Sequence, residues 1–178
     1  MSTVGPTANS QIQATGRGDA EGHAGNRVPR ALLALLRIYL GVVFLVAAWP
    51  KLTAAGGFQP RFEAFVQNAA LPSAHGFYRG FLESVVLPNS ALFTPLVVYG
   101  ELAVGLALLV GAATRLAAAA AMLFLLNYML AKGMWFWTPA SNDAALFFTA
   151  LVVLLGAAGR SFGLDRLLQR RYPSAGVW

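Results

Sequence analysis

The chain has 178 residues, 57% of them hydrophobic and only 11% charged, where a soluble domain carries about 25% charged residues; that excludes an ordinary soluble domain, and the length allows one compact unit. It contains no cysteine, which excludes disulfides, thiolate metal sites and dithiol redox chemistry of its own. The net charge of +6 is not gathered into one basic face, so no nucleic-acid partner is expected.

Residues 1–30 are polar, rich in Gly, Ala, Ser and Thr, and without apolar period. They read as a disordered tail. The first apolar window is Ala31–Trp49, with Arg37 as its only charge. Small residues at Ala47–Ala48 resemble a signal cleavage site. The apolar run is longer than a signal core, however, and follows a long polar leader, which favours a retained span.

The connection Thr53–Ser90 is too long for a plain loop. Pro60 can open a short helix with Phe62, Phe65, Val66 and Ala69 on one face. After Pro72, the residues Phe77, Phe81 and Val85 recur at i, i+4, i+8. Two short amphipathic helices on the outer membrane surface are expected. They either cap the bundle or roof a ligand site.

Three further windows follow. Ala91–Ala113 holds Glu101 as its only charge. Leu116–Ala131 holds Asn127 and no charge, and Gly133–Trp137 extends it beyond Lys132. Asn142–Gly159 carries Asp143 at its start, where Asn142–Asp143 has N-cap character. Each window is near the ~20 residues that cross a bilayer. None alternates with period 2, and a helix satisfies its own backbone in lipid. The small residues Ala103, Ala107 and Gly111, and then Ala113, Ala117 and Ala121, recur every four positions and allow close helix packing. The fold class is therefore all-α: an integral membrane four-helix bundle with short amphipathic helices in the first outer loop. Its domain spans residues 31–168, and residues 169–178 form a C-terminal tail.

The basic residues set the orientation. Arg17, Arg27, Arg30, Arg37, Arg115, Arg160, Arg166, Arg170 and Arg171 fall on one side, against Lys51, Arg61, Arg79 and Lys132 on the other. The positive-inside rule puts both termini in the cytoplasm. Trp49, Trp135 and Trp137 then lie at the outer interface, as an aromatic belt does.

At 1.5 Å of rise per residue, Glu101 lies ~15 Å below the outer surface, and Asn127 comes to a similar depth on the antiparallel neighbour. Arg37 lies ~8–9 Å above the inner surface. An ionisable residue inside a membrane is a functional candidate with a partner to be named. Arg37 is named for Glu101, against the reading that Arg37 snorkels to the interface and Glu101 is protonated. Lys51 and Asp143 form a second polar layer at the outer mouth. The candidate catalytic residues are thus Glu101 and Arg37. Asn127, Lys51, Asp143 and Trp49 are the candidate substrate- or quinone-binding residues.

Other chemistries lack their residues. The histidines, His23 and His75, lie outside the spans, where a membrane haem needs axial ligands. No metal spacing, phosphate loop, nucleophile elbow, dinucleotide fingerprint or inverted repeat is present. A few buried charges among aromatics such as Phe44, Phe124, Tyr128, Phe147 and Phe148 suit an apolar ring ligand such as a quinone, with no covalently bound cofactor.

Three strings carry a resemblance. "LLRIYLGVVFLVAAWPKL" at 35–52, with Arg37, Gly41 and Lys51, resembles the opening helix of DoxX-family membrane proteins. "GELAVGLALLVGAATRLAA" at 100–118 is similar to that family's second helix and turn, and "GRSFGLDRLL" at 159–168 to its closing element. The outer insertion with its aromatics looks closer to the DoxD-like relatives. The resemblance implies a four-helix bundle in a prokaryotic cytoplasmic (inner) membrane. It also implies association with thiosulfate:quinone oxidoreductase, quinol oxidase or thiol-stress complexes. Two functions follow: a redox subunit holding quinone, with an external partner for the electrons and Lys51 favouring an anionic substrate, or an accessory or assembly subunit of a larger membrane complex. The partners expected are lipid, other subunits and quinone.

Overall fold

The computed structural model describes residues 30–139, 141–156 and 163–165, and among these it is helical, with turns and no strand. The first long helix, α1, is Arg30–Leu52. Helix α2 begins as Gln59–Phe65, widens into a five-residue turn at Val66–Ala70 and ends at Leu71–Ser73. Helix α3 is Gly76–Phe81 and closes in a similar wide turn, Leu82–Val86. The remaining long helices are α4 (Ser90–Val110), α5 (Thr114–Ala131) and α6 (Asn142–Leu155). Arg17, Arg27, Arg160, Arg166, Arg170 and Arg171, like the expected tails apart from Arg30, which opens α1, lie outside the described residues.

Helices α1, α4 and α5 are each long and apolar enough to cross a membrane. Helix α6 is apolar but shorter, 14 described residues; its expected continuation to Gly159 lies outside them. The long helices pack in a cycle: α1 on α4, α4 on α5, α5 on α6, and α6 back on α1. Leu40, Phe44, Leu108, Ala118, Ala121, Leu125, Ala150 and Val153 fill the space between them. Helices α2 and α3 lie across one end of this frame, α2 on α4 and α3 on α5. Their inner face, Val66, Ala70, Leu82 and Val86, forms a second apolar cluster with Ala131.

The start of α2 is fastened to the start of α4. Ser90 Oγ donates to Glu63 Oε1 at 2.5 Å, and Gln59 Nε2 donates to the same oxygen at 3.0 Å. These bonds hold the Glu63 carboxyl below its ordinary pKa, the Ser90 bond contributing most.

Helices α1 and α4 approach closely enough for backbone contact. A Cβ on Gly41 would sit 2.8 Å from the Leu109 backbone nitrogen and 3.0 Å from the Gly105 carbonyl oxygen. One on Gly105 would sit 3.0 Å from the Leu45 nitrogen. Two glycines facing each other let the backbones touch, as small residues do in membrane helices. The expected row on α4 is corrected here: Ala103 is exposed and Gly105 is the contact. In an Ala-rich helix several small-residue rows exist, and only the partner's position selects one. On α5 the expected Ala117 and Ala121 are buried.

At the other end of the frame, α4 stops at Gly111, whose φ of 70° is left-handed. Two residues later Ala113 begins α5 with no side chain able to cap it. Asp165 supplies the cap from far along the chain. Its carboxylate accepts from the Ala113 N–H at 2.6 Å and the Thr114 N–H at 2.9 Å. The Asp165 N–H in turn donates to the Gly111 carbonyl at 2.8 Å. A carboxylate at a helix N-terminus satisfies orphan amides and the helix dipole together.

Gly41→Ala is expected to lower stability by about 1–3 kcal/mol, because overpacked contacts against backbone cannot relax cheaply. Gly80→Ala, with open space around its Cβ, is expected to cost nothing. Thermal unfolding of both variants in detergent checks the contrast.

Candidate functional site

The register fixed at the Gly41–Gly105 crossing determines what Glu101 meets. Helices α1 and α4 are antiparallel, and Glu101 is four residues from Gly105 on the side toward α2 and α3. That brings it level with Ala47 and Ala48, where small side chains leave room. Lys51 lies one turn further along α1, a rise of ~5 Å, which its four-carbon stem spans. The Lys51 ammonium donates to both oxygens of the Glu101 carboxylate. The Tyr128 hydroxyl, from α5, donates to Glu101 Oε1. Glu101 is 1% exposed and Lys51 20%. The carboxylate is therefore the buried member, and the ammonium is the member presented outward.

What Lys51 faces is a cavity of about 470 Å³. Its walls are Val43, Phe44, Ala47, Val97, Leu125 and Leu146 from the long helices, and Phe58, Phe62 and Phe65 from the cross-lying segment. Lys51 is 5.5 Å from the Tyr128 ring centre and 5.9 Å from that of Phe58, within cation–π range. Arg61, Lys132 and Asp143 also line the cavity, with Lys132 Nζ on Asp143 Oδ2 at 2.7 Å. The volume is that of a small-molecule site, and the composition fits one as well: mostly apolar, with a few convergent polar groups.

A second cavity, about 220 Å³, lies beside the first. Phe62, Phe65, Val97 and Tyr128 line both. Asn127 belongs to this second cavity. Its Nδ2 donates to the Leu123 carbonyl at 2.7 Å, and its Oδ1 accepts from Tyr78 at 2.6 Å. Burial of the Tyr78 hydroxyl raises its pKa.

Several sequence expectations change. Glu101 is not the partner of Arg37. Arg37 lies against Gly111 and Gly163, and Gly111 is ten residues past Glu101, ~15 Å along the helix. No arginine arm covers that distance. Arg37 is 1% exposed, and its charge interacts with that of Asp165, so it serves the α4–α5 turn. Asn127 is not on Glu101 either. Depth alone does not separate Asn127 from its neighbour Tyr128, one residue further along the helix. The helix phase, 100° per residue, turns Tyr128 inward with Leu125 and Ala121 and leaves Asn127 exposed. Lys51 and Asp143, expected as one polar layer, do line the same cavity, and Asp143 pairs with Lys132 there. Ser141, not Asn142 or Asp143, caps α6, accepting from the Ala144 N–H at 3.3 Å. Trp49 is 66% exposed and lines neither cavity. The site thus unites Glu101, Lys51 and Asp143 of the expected set and adds Tyr128, Arg61 and Lys132. The apolar face assigned to Phe62 and Phe65 was the available signal for the wall.

The chain matches, over residues 32–176, the family model described as TQO small subunit DoxD. No curated protein and no solved structure matches it. The family match covers most of the sequence, and the protein belongs to the DoxD family. With its apolar helices it is a membrane protein.

A double-mutant cycle tests the pairing. Glu101→Gln combined with Lys51→Met is expected to show a coupling within the 0.5–3 kcal/mol seen for residues in contact. Glu101→Gln combined with Arg37→Gln is expected to be additive. Thermal stability in detergent is the readout for both cycles.

Proposed function

We propose that this DoxD-family chain is the quinone-holding membrane subunit of an oxidoreductase complex, of which thiosulfate oxidation is the reaction named by the family. The observation that carries this reading is the cavity floor. An apolar-walled space of about 470 Å³ presents an ammonium, with a phenol behind it, to whatever enters. The phenol hydrogen is taken by Glu101, and the ammonium keeps a third N–H to donate, so the complementary ligand is a flat apolar body bearing an acceptor oxygen. A quinone ring has that chemistry. When bound, it supplies a two-electron acceptor that no side chain of this chain supplies.

The residues divide the work by position. Phe44, Phe58 and Phe62 enclose the ring and exclude water, which strengthens the electrostatics of the floor. Lys51 donates to a ring oxygen and orients it. Glu101 fixes the ammonium and, with Tyr128, forms a hydrogen-bonded pair through which a proton can be exchanged. Arg61 and the Lys132–Asp143 pair stand at the rim, where they draw an anionic substrate toward the mouth. The chain has no cysteine, so the sulfur-handling centre belongs to a partner subunit. In the orientation read from the basic residues, all four long helices cross the inner membrane and the cavity mouth opens on the outer side. The alternative, a purely accessory subunit, requires the cavity to bind no quinone.

Two measurements test this. A short-chain quinone titrated into the protein in nanodiscs is expected to bind. Lys51→Met should weaken it about 10–100-fold, the value of a hydrogen bond to a charged group. Arg37→Leu should leave the affinity of the folded protein unchanged, because Arg37 is remote from the cavity. For orientation, a green fluorescent reporter fused after Trp178 is expected to fluoresce and an alkaline phosphatase fusion at the same place to be inactive. The reverse pattern would put the cavity mouth on the cytoplasmic side.

A further inference from the structure

The second cavity differs from the first in what it offers a ligand. Its polar atoms all make bonds within the protein: Tyr78 to Asn127, Asn127 to the Leu123 carbonyl, and Tyr128 to Glu101. It holds none of the three cations and neither of the two carboxylates that line the first. The rest of its surface is aromatic and aliphatic, from Phe81, Phe93, Phe124, Val86 and Leu96 among others. A headgroup has no reason to enter it, and a hydrocarbon chain has.

Its position supports the same occupant. Leu96 on α4 and Phe81 on α3 are 59% and 38% exposed, so the cavity reaches the flank of the molecule at the end of a membrane-crossing helix. On its inner side it shares Phe62, Phe65, Val97 and Tyr128 with the first cavity. The two spaces are thus immediate neighbours, meeting at these side chains. The shared wall includes the tyrosine that holds Glu101.

We propose that the second cavity is the tail path of a chain-bearing ligand: the ring lies over Lys51 in the first cavity, and its apolar chain passes by Phe62 and Phe65 into the second and leaves toward lipid beside Leu96. This rests on the quinone reading and adds to it that the natural ligand is drawn from the bilayer with its chain attached. Specificity for the chain then resides in the flank lined by Phe81 and Leu96, and the polar floor is indifferent to it.

The experiment uses two probes with the same ring, a benzoquinone without a chain and its decyl-chain derivative, in nanodiscs of one lipid composition. Wild type is compared with Leu96→Trp for each probe, so that partition of the probe into lipid cancels. Leu96 is exposed and outside both core clusters, so tryptophan there narrows the cavity without disturbing the interior. The expected result is at least tenfold weaker binding of the decyl probe and unchanged binding of the chainless one. Phe81→Trp, at the opposite lip, is expected to reproduce it. Binding of both probes with no response to either variant would overturn the tail path and leave the quinone site standing. Equal weakening of both probes would also overturn it. No binding of either probe to wild type would overturn the quinone reading and this inference together.

Discussion

A carboxylate buried among hydrocarbon must be paired, and most of this structure is arranged around that requirement at Glu101. An uncompensated charge in such a place costs several kcal/mol or is neutralised by taking a proton. Lys51 and Tyr128 satisfy both oxygens from two different helices. That arrangement needs α1 and α4 in one register, which the Gly41–Gly105 contact provides. It also needs room beside the carboxylate, which Ala47 and Ala48 leave. The room that is not filled by side chains is the cavity.

The two charged clusters of the interior do different work because they sit at opposite ends. Arg37 and Asp165 hold the α4–α5 turn, where Gly111 and Ala113 both adopt left-handed backbone and no local side chain can cap α5. The Asp165 carboxylate and backbone amide there close the frame. Lys51 and Glu101 are paired at the edge of a space instead. An ion pair with one member 20% exposed and the other 1% is a fixed counter-ion behind an offered donor. That asymmetry leaves the second cluster facing a cavity, while the first fastens a turn.

The family match and the cavity are separate observations on the same chain. The family description names a quinone-reducing system. The cavity, taken by itself, is a largely apolar space with a few charged groups and a tyrosine on its wall. The cross-lying helices α2 and α3 gain a role from this. Their aromatic faces form walls of both cavities, and the Gln59–Glu63–Ser90 bonds fasten the nearer one to α4. Their side chains both pack as an apolar cluster over the end of the frame and line the two cavities.

The sequence by itself determined the helices, their order and the membrane. Long apolar windows, a lone intramembrane Glu101 and the glycines at 41 and 105 are local features, and so is the absence of cysteine. The family strings at 35–52 and 100–118 are local as well. Which charge meets which is not local. Helix α5 is apolar nearly all round, so nothing in its composition marks the inward face, and Asn127 was as eligible as Tyr128. Depth counting gave each polar residue a level but not a facing direction, and it measured Lys51 and Arg37 from a membrane boundary, not from the α1–α4 crossing. Only that crossing decided that Lys51 reaches Glu101 and Arg37 does not, because a single backbone contact sets the relative shift of two helices and hence every pair along them.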